Sequence, residues 1–178
     1  MLTNRRDLPK VLESKTMVRF QDCDPFGHLN NARYIDYFMN ARTDHLRENY
    51  DFEIFAWGKE TGESWVVTKT QIAYLWPAGI SEEVTIRTRL IHFDTTLLRV
   101  EAIMLDAAGR RVKAMGWVEF AYISMASGRP VRHGDELTNF FSAVVADDVD
   151  SSMSFDDRVA EVKVESRKRA VSEPEQVV

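Results

Sequence analysis

Two periods of apolar residues divide this chain. From Ala32 to about Tyr50, Tyr34, Phe38, Ala41 and His45 form one row and Ile35, Met39 and Leu46 a second beside it, which is helical spacing. Tyr37 widens the apolar face, and Arg33, Asp36, Arg42, Asp44, Arg47 and Glu48 carry too little charge for a surface helix, so the pattern predicts one enclosed by other elements. After Ser64 the period falls to two. Strands are expected over 65–74, closed by Trp76-Pro77-Ala78-Gly79, and over 83–93, where Val84, Ile86, Thr88 and Leu90 alternate with Thr85, Arg87 and Arg89. Two more, over 97–106 and 111–124, are joined by Ala107-Ala108-Gly109-Arg110 as a hairpin. No helix separates these strands, so neighbours should pair antiparallel. A short strand over 15–20 leads in, 51–63 reads as a helical turn and loop, and Leu137, Phe140, Phe141, Val144 and Val145 form a second helical stripe after a cap at Asp135. The expected architecture is α+β: one long central helix wrapped by a single antiparallel sheet.

At 178 residues this is one domain with ends. Residues 1–14 are an N-terminal extension and 15–147 the domain. From Asp148 large apolar residues thin out and acids alternate with Arg158, Lys163, Arg167, Lys168 and Arg169, so 148–178 reads as a charged, partly disordered tail. No internal repeat is present. A net charge of −5 offers no general field for nucleic acid or an acidic membrane. No apolar run approaches a membrane span and the first ten residues lack a signal-peptide core. A single cysteine, Cys23, excludes an intramolecular disulfide, and the expected location is the cytoplasm.

The chemistry concentrates between the first strand and the long helix, in Asp22-Cys23-Asp24-Pro25-Phe26-Gly27-His28-Leu29-Asn30-Asn31. Pro25 and Gly27 break regular structure, and Asn30 or Asn31 suits the N-cap of the helix. Amides at a helix N-terminus lack intrahelical partners and carry partial positive charge, so they can hold an oxygen that becomes negative.

The run Asp24-Pro25-Phe26-Gly27-His28-Leu29-Asn30-Asn31-Ala32-Arg33-Tyr34 resembles the signature of hotdog-fold acyl-CoA thioesterases, the 4-hydroxybenzoyl-CoA thioesterase-like superfamily, and more distantly that of plant acyl-carrier-protein thioesterases. The resemblance spans roughly 15–141. It implies a hotdog fold and hydrolysis of acyl-CoA, fatty acyl-CoA foremost, with no metal or cofactor. It also implies a homodimer or homotetramer with the site between subunits. By the same resemblance Asp24 is the catalytic carboxylate, as nucleophile or general base. The Asn31 N–H, with Asn30 beside it, is the oxyanion donor, and His28 is a third catalytic candidate that orients water, bonds Asp24 or caps the loop. Asn30, Tyr34 and Thr68 are the candidate substrate-binding residues. The sequence departs from the plant pattern at Phe26, where Asn is usual, and it has no later cysteine.

Each assignment has a structural competitor. Asp before Pro and Gly is common turn chemistry. Asp22 is expected as a turn acceptor or partner of Arg19, Tyr34 as core, and Thr68, Thr70, Thr95 and Thr96 as strand formers. Cys23 sits where a reactive thiolate is conceivable, but alternation in an extended segment points it away from Asp22 and Asp24. Asp22, Asp24 and His28 are metal ligands by type only, without a second cluster, and His45, His92 and His133 are isolated. Arg87, Arg89, Arg99, Arg110, Arg111 and Lys113 are candidates for coenzyme A phosphates. The rival functions are a hotdog enoyl-CoA hydratase and a non-catalytic module that binds acyl-CoA or acyl-carrier protein.

Overall fold

The computed structural model describes residues 8–171. Its strands are β1 (Leu12–Met17), β2 (Glu63–Tyr74), β3 (Glu83–Phe93), β4 (Leu97–Asp106) and β5 (Val112–Ser124), and its helices α1 (Tyr34–Tyr50), α2 (Ile54–Thr61), α3 (Asp135–Val144) and α4 (Phe155–Val171). The five strands pair antiparallel throughout, in the order β1-β3-β4-β5-β2, so β2 lies at one edge. Among the described residues no helix is long and apolar enough to cross a membrane.

The strand period sorts side chains onto two covered faces. On β4, Ala102 and Met104 face α1, where Tyr34, Phe38 and Ala41 pack with Val84, Ile86 and Ala114. The helix seats closely because β5 has Gly116 beneath it: a Cβ there would come within 3.3 Å of both Phe38 Cε2 and the Gln71 carbonyl. Toward the C-terminal end of α1, Leu46 and Tyr50 join Leu90, Val100, Tyr122 and the apolar stripe of α3. The enclosed helix and the wrapping sheet are as expected from the apolar pattern.

The opposite face was not expected to be covered. Ile103 and Leu105 of β4, Met115 and Trp117 of β5 and Ile91 of β3 pack under Val149, Phe155, Val159 and Val162. Residues 148–171 are therefore no loose tail: α4 carries an apolar row at 155, 159 and 162, and residues 172–178 lie outside those described. Its Arg158 is buried and reaches Glu101 Oε2 at 3.0 Å, beside Arg89 on Oε1 at 2.6 Å and the Trp117 indole N–H on Oε2 at 3.0 Å. At the other end β1 starts at Leu12, inside the segment expected as an extension, and buries that leucine against α1 and α3.

Candidate active site

Between β1 and α1 the chain makes a short 3-10 turn (Phe20–Asp22), the loop 23–30, and a second 3-10 turn (Asn31–Arg33) that runs into α1. Asp24 closes the loop on itself. Its Oδ1 accepts from the N–H groups of Phe26 at 2.9 Å and His28 at 3.2 Å, while its own N–H donates to the His28 carbonyl at 2.8 Å. Gly27 completes the turn at φ +76°, a conformation that a side chain would strain. The turn chemistry of Asp24 is therefore real, and it also fixes the direction of the carboxylate. Among the described residues no hydrogen bond engages its Oδ2.

Asn30, of the two asparagines, caps the 3-10 turn, its side chain accepting from Ala32 N–H at 2.9 Å, whereas α1 itself starts after Arg33, which makes no side-chain cap bond. Asn31 is the first residue of the turn, and among the described residues its N–H meets no acceptor. Its carbonyl accepts from the Tyr74 hydroxyl at 2.8 Å. The His28 side chain is exposed, and its backbone bridges to Gly79.

Two struts hold this loop to the domain. The Tyr37 hydroxyl donates to Asp22 Oδ2 at 2.9 Å and accepts from Arg19 N–H at 3.0 Å, and the Asp22 carbonyl accepts from Asn30 N–H at 2.9 Å. Asp22 thus bonds Tyr37, while Arg19 takes part through its backbone. On the other side, Leu29 N–H donates to the Ala78 carbonyl at 2.8 Å and Ile80 N–H to the Gly27 carbonyl at 2.8 Å. Tyr34 is 2% exposed, and its hydroxyl accepts from Ala78 N–H at 3.3 Å, so its observed contacts are those of a core residue bracing the 77–80 turn.

Cys23 is half-buried and donates to the Arg19 carbonyl at 3.4 Å. Desolvation, then the neighbouring Asp22 and Asp24 carboxylates, push its thiol pKa up, which keeps it protonated and a poor nucleophile. Among the described residues no three His, Cys, Asp or Glu side chains converge as a metal site. Thr68 stands apart from the loop. It is the extra residue of a bulge in β2, donates to the Glu119 carbonyl at 3.2 Å, and lies six residues, about 20 Å of strand, from Tyr74. Four of the proposed phosphate-binding cations are ion-paired within the fold: Arg87 with Glu13, Arg89 with Glu101, Arg99 with Glu119 and Lys113 with Glu82. Arg111 lies over the Trp76 ring, 4.8 Å from its centroid.

An apolar cavity of about 60 Å³ opens beside α1, lined by Met39, Leu46, Phe52, Trp65, Leu90 and Phe141 among others, with Arg42 and Thr43 on the helix side. Sequence reading singled out none of Tyr37, Tyr74 and Arg42 for the site. Each was visible only as part of an aromatic or charged pattern, and what gives it meaning is a contact or a cavity made by distant chain.

Comparisons with known proteins agree with this architecture. A family model described as the thioesterase-like superfamily matches residues 18–161. The long-chain acyl-CoA thioesterase FadM of Escherichia coli (strain K12) is 35% identical over 127 residues, covering 71% of this chain and 93% of that protein. The crystal structure of YbaW, a probable thioesterase from Escherichia coli, superposes with a TM-score of 0.64 at 25% identity, covering 75% of this chain and 98% of that one. A DHNA-CoA thioesterase from Staphylococcus aureus shares the fold alone, with a TM-score of 0.67 at 16% identity over 89% and 94% of the two chains. With its five-stranded antiparallel sheet around a long helix and a family match that runs through the loop 23–30 into α4, this chain belongs to the thioesterase-like superfamily and has its hotdog fold.

Proposed function

We propose that this protein hydrolyses acyl-CoA thioesters, those of fatty acids foremost, to the free acid and coenzyme A. Asp24 attacks the thioester carbonyl or draws a proton from the water that does, and the Asn31 N–H holds the carbonyl oxygen as it becomes negative. The observation that carries this reading is the presence of a carboxylate held by two backbone donors and, a few residues on, a free N–H at the start of the 3-10 turn that leads into α1. An oxyanion donor of this kind is typically worth about 2.7–4 kcal/mol of barrier. The Asn30 cap and the Tyr74 bond to the Asn31 carbonyl set where that N–H points. The exposed imidazole of His28 orients the attacking water, and the name of FadM supports acyl-CoA as the substrate class.

The edge strand supports self-association. β2 is twelve residues long, with Val66, Val67, Thr68, Lys69 and Thr70 exposed along an unpaired edge, a surface that monomers seldom leave open. A second copy pairing there forms the homodimer and brings Thr68 to the partner's side of the site.

Incubation with a panel of acyl-CoAs, reading free thiol, tests the reaction. Wild type should release thiol, and Asp24→Asn, folded by circular dichroism, should lose almost all of that activity. Full activity in the folded variant would overturn the assignment, and hydration of an enoyl-CoA without thiol release would replace the reaction.

A further inference from the structure

The cavity beside α1 holds a charge for which the fold provides no counter-ion. Arg33, Arg47, Arg87, Arg89, Arg99 and Arg158 each face a carboxylate within ion-pair distance. Arg42 does not: among the described residues no carboxylate reaches its guanidinium, and the adjacent Asp44 and Glu48 are paired with Arg47. The titratable neighbours that act on it or feel it are Tyr50 and His45. Burial lowers the Arg42 pKa to about 10, so the group is still a cation at neutral pH. Arg42 is half-buried at the wall formed with Leu46, Phe52, Leu90 and Phe141, and a ligand that enters there displaces water from a guanidinium for which the fold supplies no anion.

The cavity is also where the far end of an acyl chain would arrive. Ile35, Met39 and Thr43 follow one another at four-residue spacing, a row that runs along α1 from its start to the cavity wall. Arg42 stands eight residues beyond Tyr34, about 12 Å along the helix axis at 1.5 Å per residue. At about 10–15 Å³ per water-sized group, the cavity takes only the last few groups of a chain. A methyl end would displace water from the guanidinium without replacing its hydrogen bonds, whereas a carboxylate would meet it as a charge-assisted, bidentate pair.

We propose that Arg42 is a specificity-determining residue that selects acyl groups with an anionic end, and that ω-carboxyacyl thioesters of coenzyme A are the preferred substrates. The proposal rests on the acyl-CoA reading above. Its first test compares dodecanoyl-CoA with the ω-carboxy ester of the same length in wild type, Arg42→Met and Arg42→Lys. Wild type should favour the ω-carboxy ester by on the order of ten- to a hundredfold in kcat/KM. Arg42→Met should cancel or reverse that preference, and Arg42→Lys should keep part of it. Equal kcat/KM for the two esters in wild type, or an equal loss on both in Arg42→Met, would overturn the proposal. The second test needs no turnover: calorimetric titration of wild type with dodecanoate and with dodecan-1-ol. A preference for the carboxylate that disappears when the titration is repeated on Arg42→Met supports the charged cavity even if no ester is hydrolysed, in which case hydrolysis alone is the reading that fails. A preference that persists in Arg42→Met refutes the charged cavity. Equal binding of acid and alcohol refutes the cavity assignment.

Discussion

Replacing Glu101 by glutamine tests how α4 is held to the sheet. The side chain of Glu101 is 1% exposed, and its two oxygens share donors from three residues: Oε1 takes Arg89 Nε at 2.9 Å and Nη2 at 2.6 Å, Oε2 takes Arg158 Nε and Trp117 Nε1, both at 3.0 Å. Glutamine has nearly the same shape but one acceptor oxygen. Its NH₂ group must face N–H donors on whichever side it turns, and two guanidinium groups lose the buried anion between them. Asp148 still engages Arg89, and Glu161 and Glu165 still engage Arg158, but these carboxylates sit at half-exposed or exposed positions. Removing one side of such a buried arrangement costs about 3–5 kcal/mol, a large share of the roughly 5–15 kcal/mol that stabilises a typical domain. For a chain of this size that is a fall in Tm of roughly 6–20 °C. Urea denaturation at neutral pH measures the difference directly, and a change under about 1 kcal/mol would refute the reasoning. The pH dependence is a further check. Burial opposes ionisation of Glu101, but hydrogen bonds from Arg158 and Trp117 and the charges of Arg89 and Arg158 prevail, so its pKa lies below the ordinary 4.5. The stabilisation is therefore fully present above 4.5 and is lost as pH falls through the lowered folded value. The gap between wild type and Glu101→Gln should hold steady at neutral pH and shrink only on acidification past that point.

Other substitutions probe the site and its support. Asn30→Ala removes the cap and should cost about 1 kcal/mol in thermal or urea unfolding, with a larger proportional fall in kcat as the Asn31 N–H loses its fixed direction. Gly116→Ala places a Cβ against Phe38 and the Gln71 carbonyl and should destabilise by about 1–3 kcal/mol in the same assay, lifting α1 from the sheet. Cys23→Ala should keep most thiol-releasing activity, and a loss comparable to that of Asp24→Asn would reinstate the thiol as a chemical participant.

Much of this arrangement is legible in the chain because its signals are local. The bounds of β3 and β4 follow from alternation and adjacent turn residues, and the enclosed α1 follows from an apolar face too wide for a surface helix. The loop could be located because Asp24, Gly27 and the Asn30 cap form one continuous run. What escaped notice depends on distant partners. The helix α4 looks polar because Phe155, Val159 and Val162 are diluted by charges, and Arg158 resembles any solvated arginine until Glu101 is found beneath it. A signal for the second cover was nevertheless present: β4 is apolar at Ile103 and Leu105 as well as at Ala102 and Met104, which a sheet with one wet face would not be. Tyr37 bonds Asp22 from fifteen residues away and Tyr74 bonds Asn31 from forty-three, and neither contact has a local signature.

The position of α4 in chain order has a consequence for biosynthesis. The sheet is complete once Ser124 has been made, yet the residues that cover its outer face continue to Val162. At about 5–20 residues per second, that interval lasts roughly 2–8 s. Throughout it Ile103, Leu105, Met115 and Trp117 form an uncovered apolar wall on an otherwise finished sheet, with Glu101 and Arg89 awaiting Arg158. A nascent chain stalled in this window would offer chaperones, or other stalled chains, the same surface that α4 later occupies.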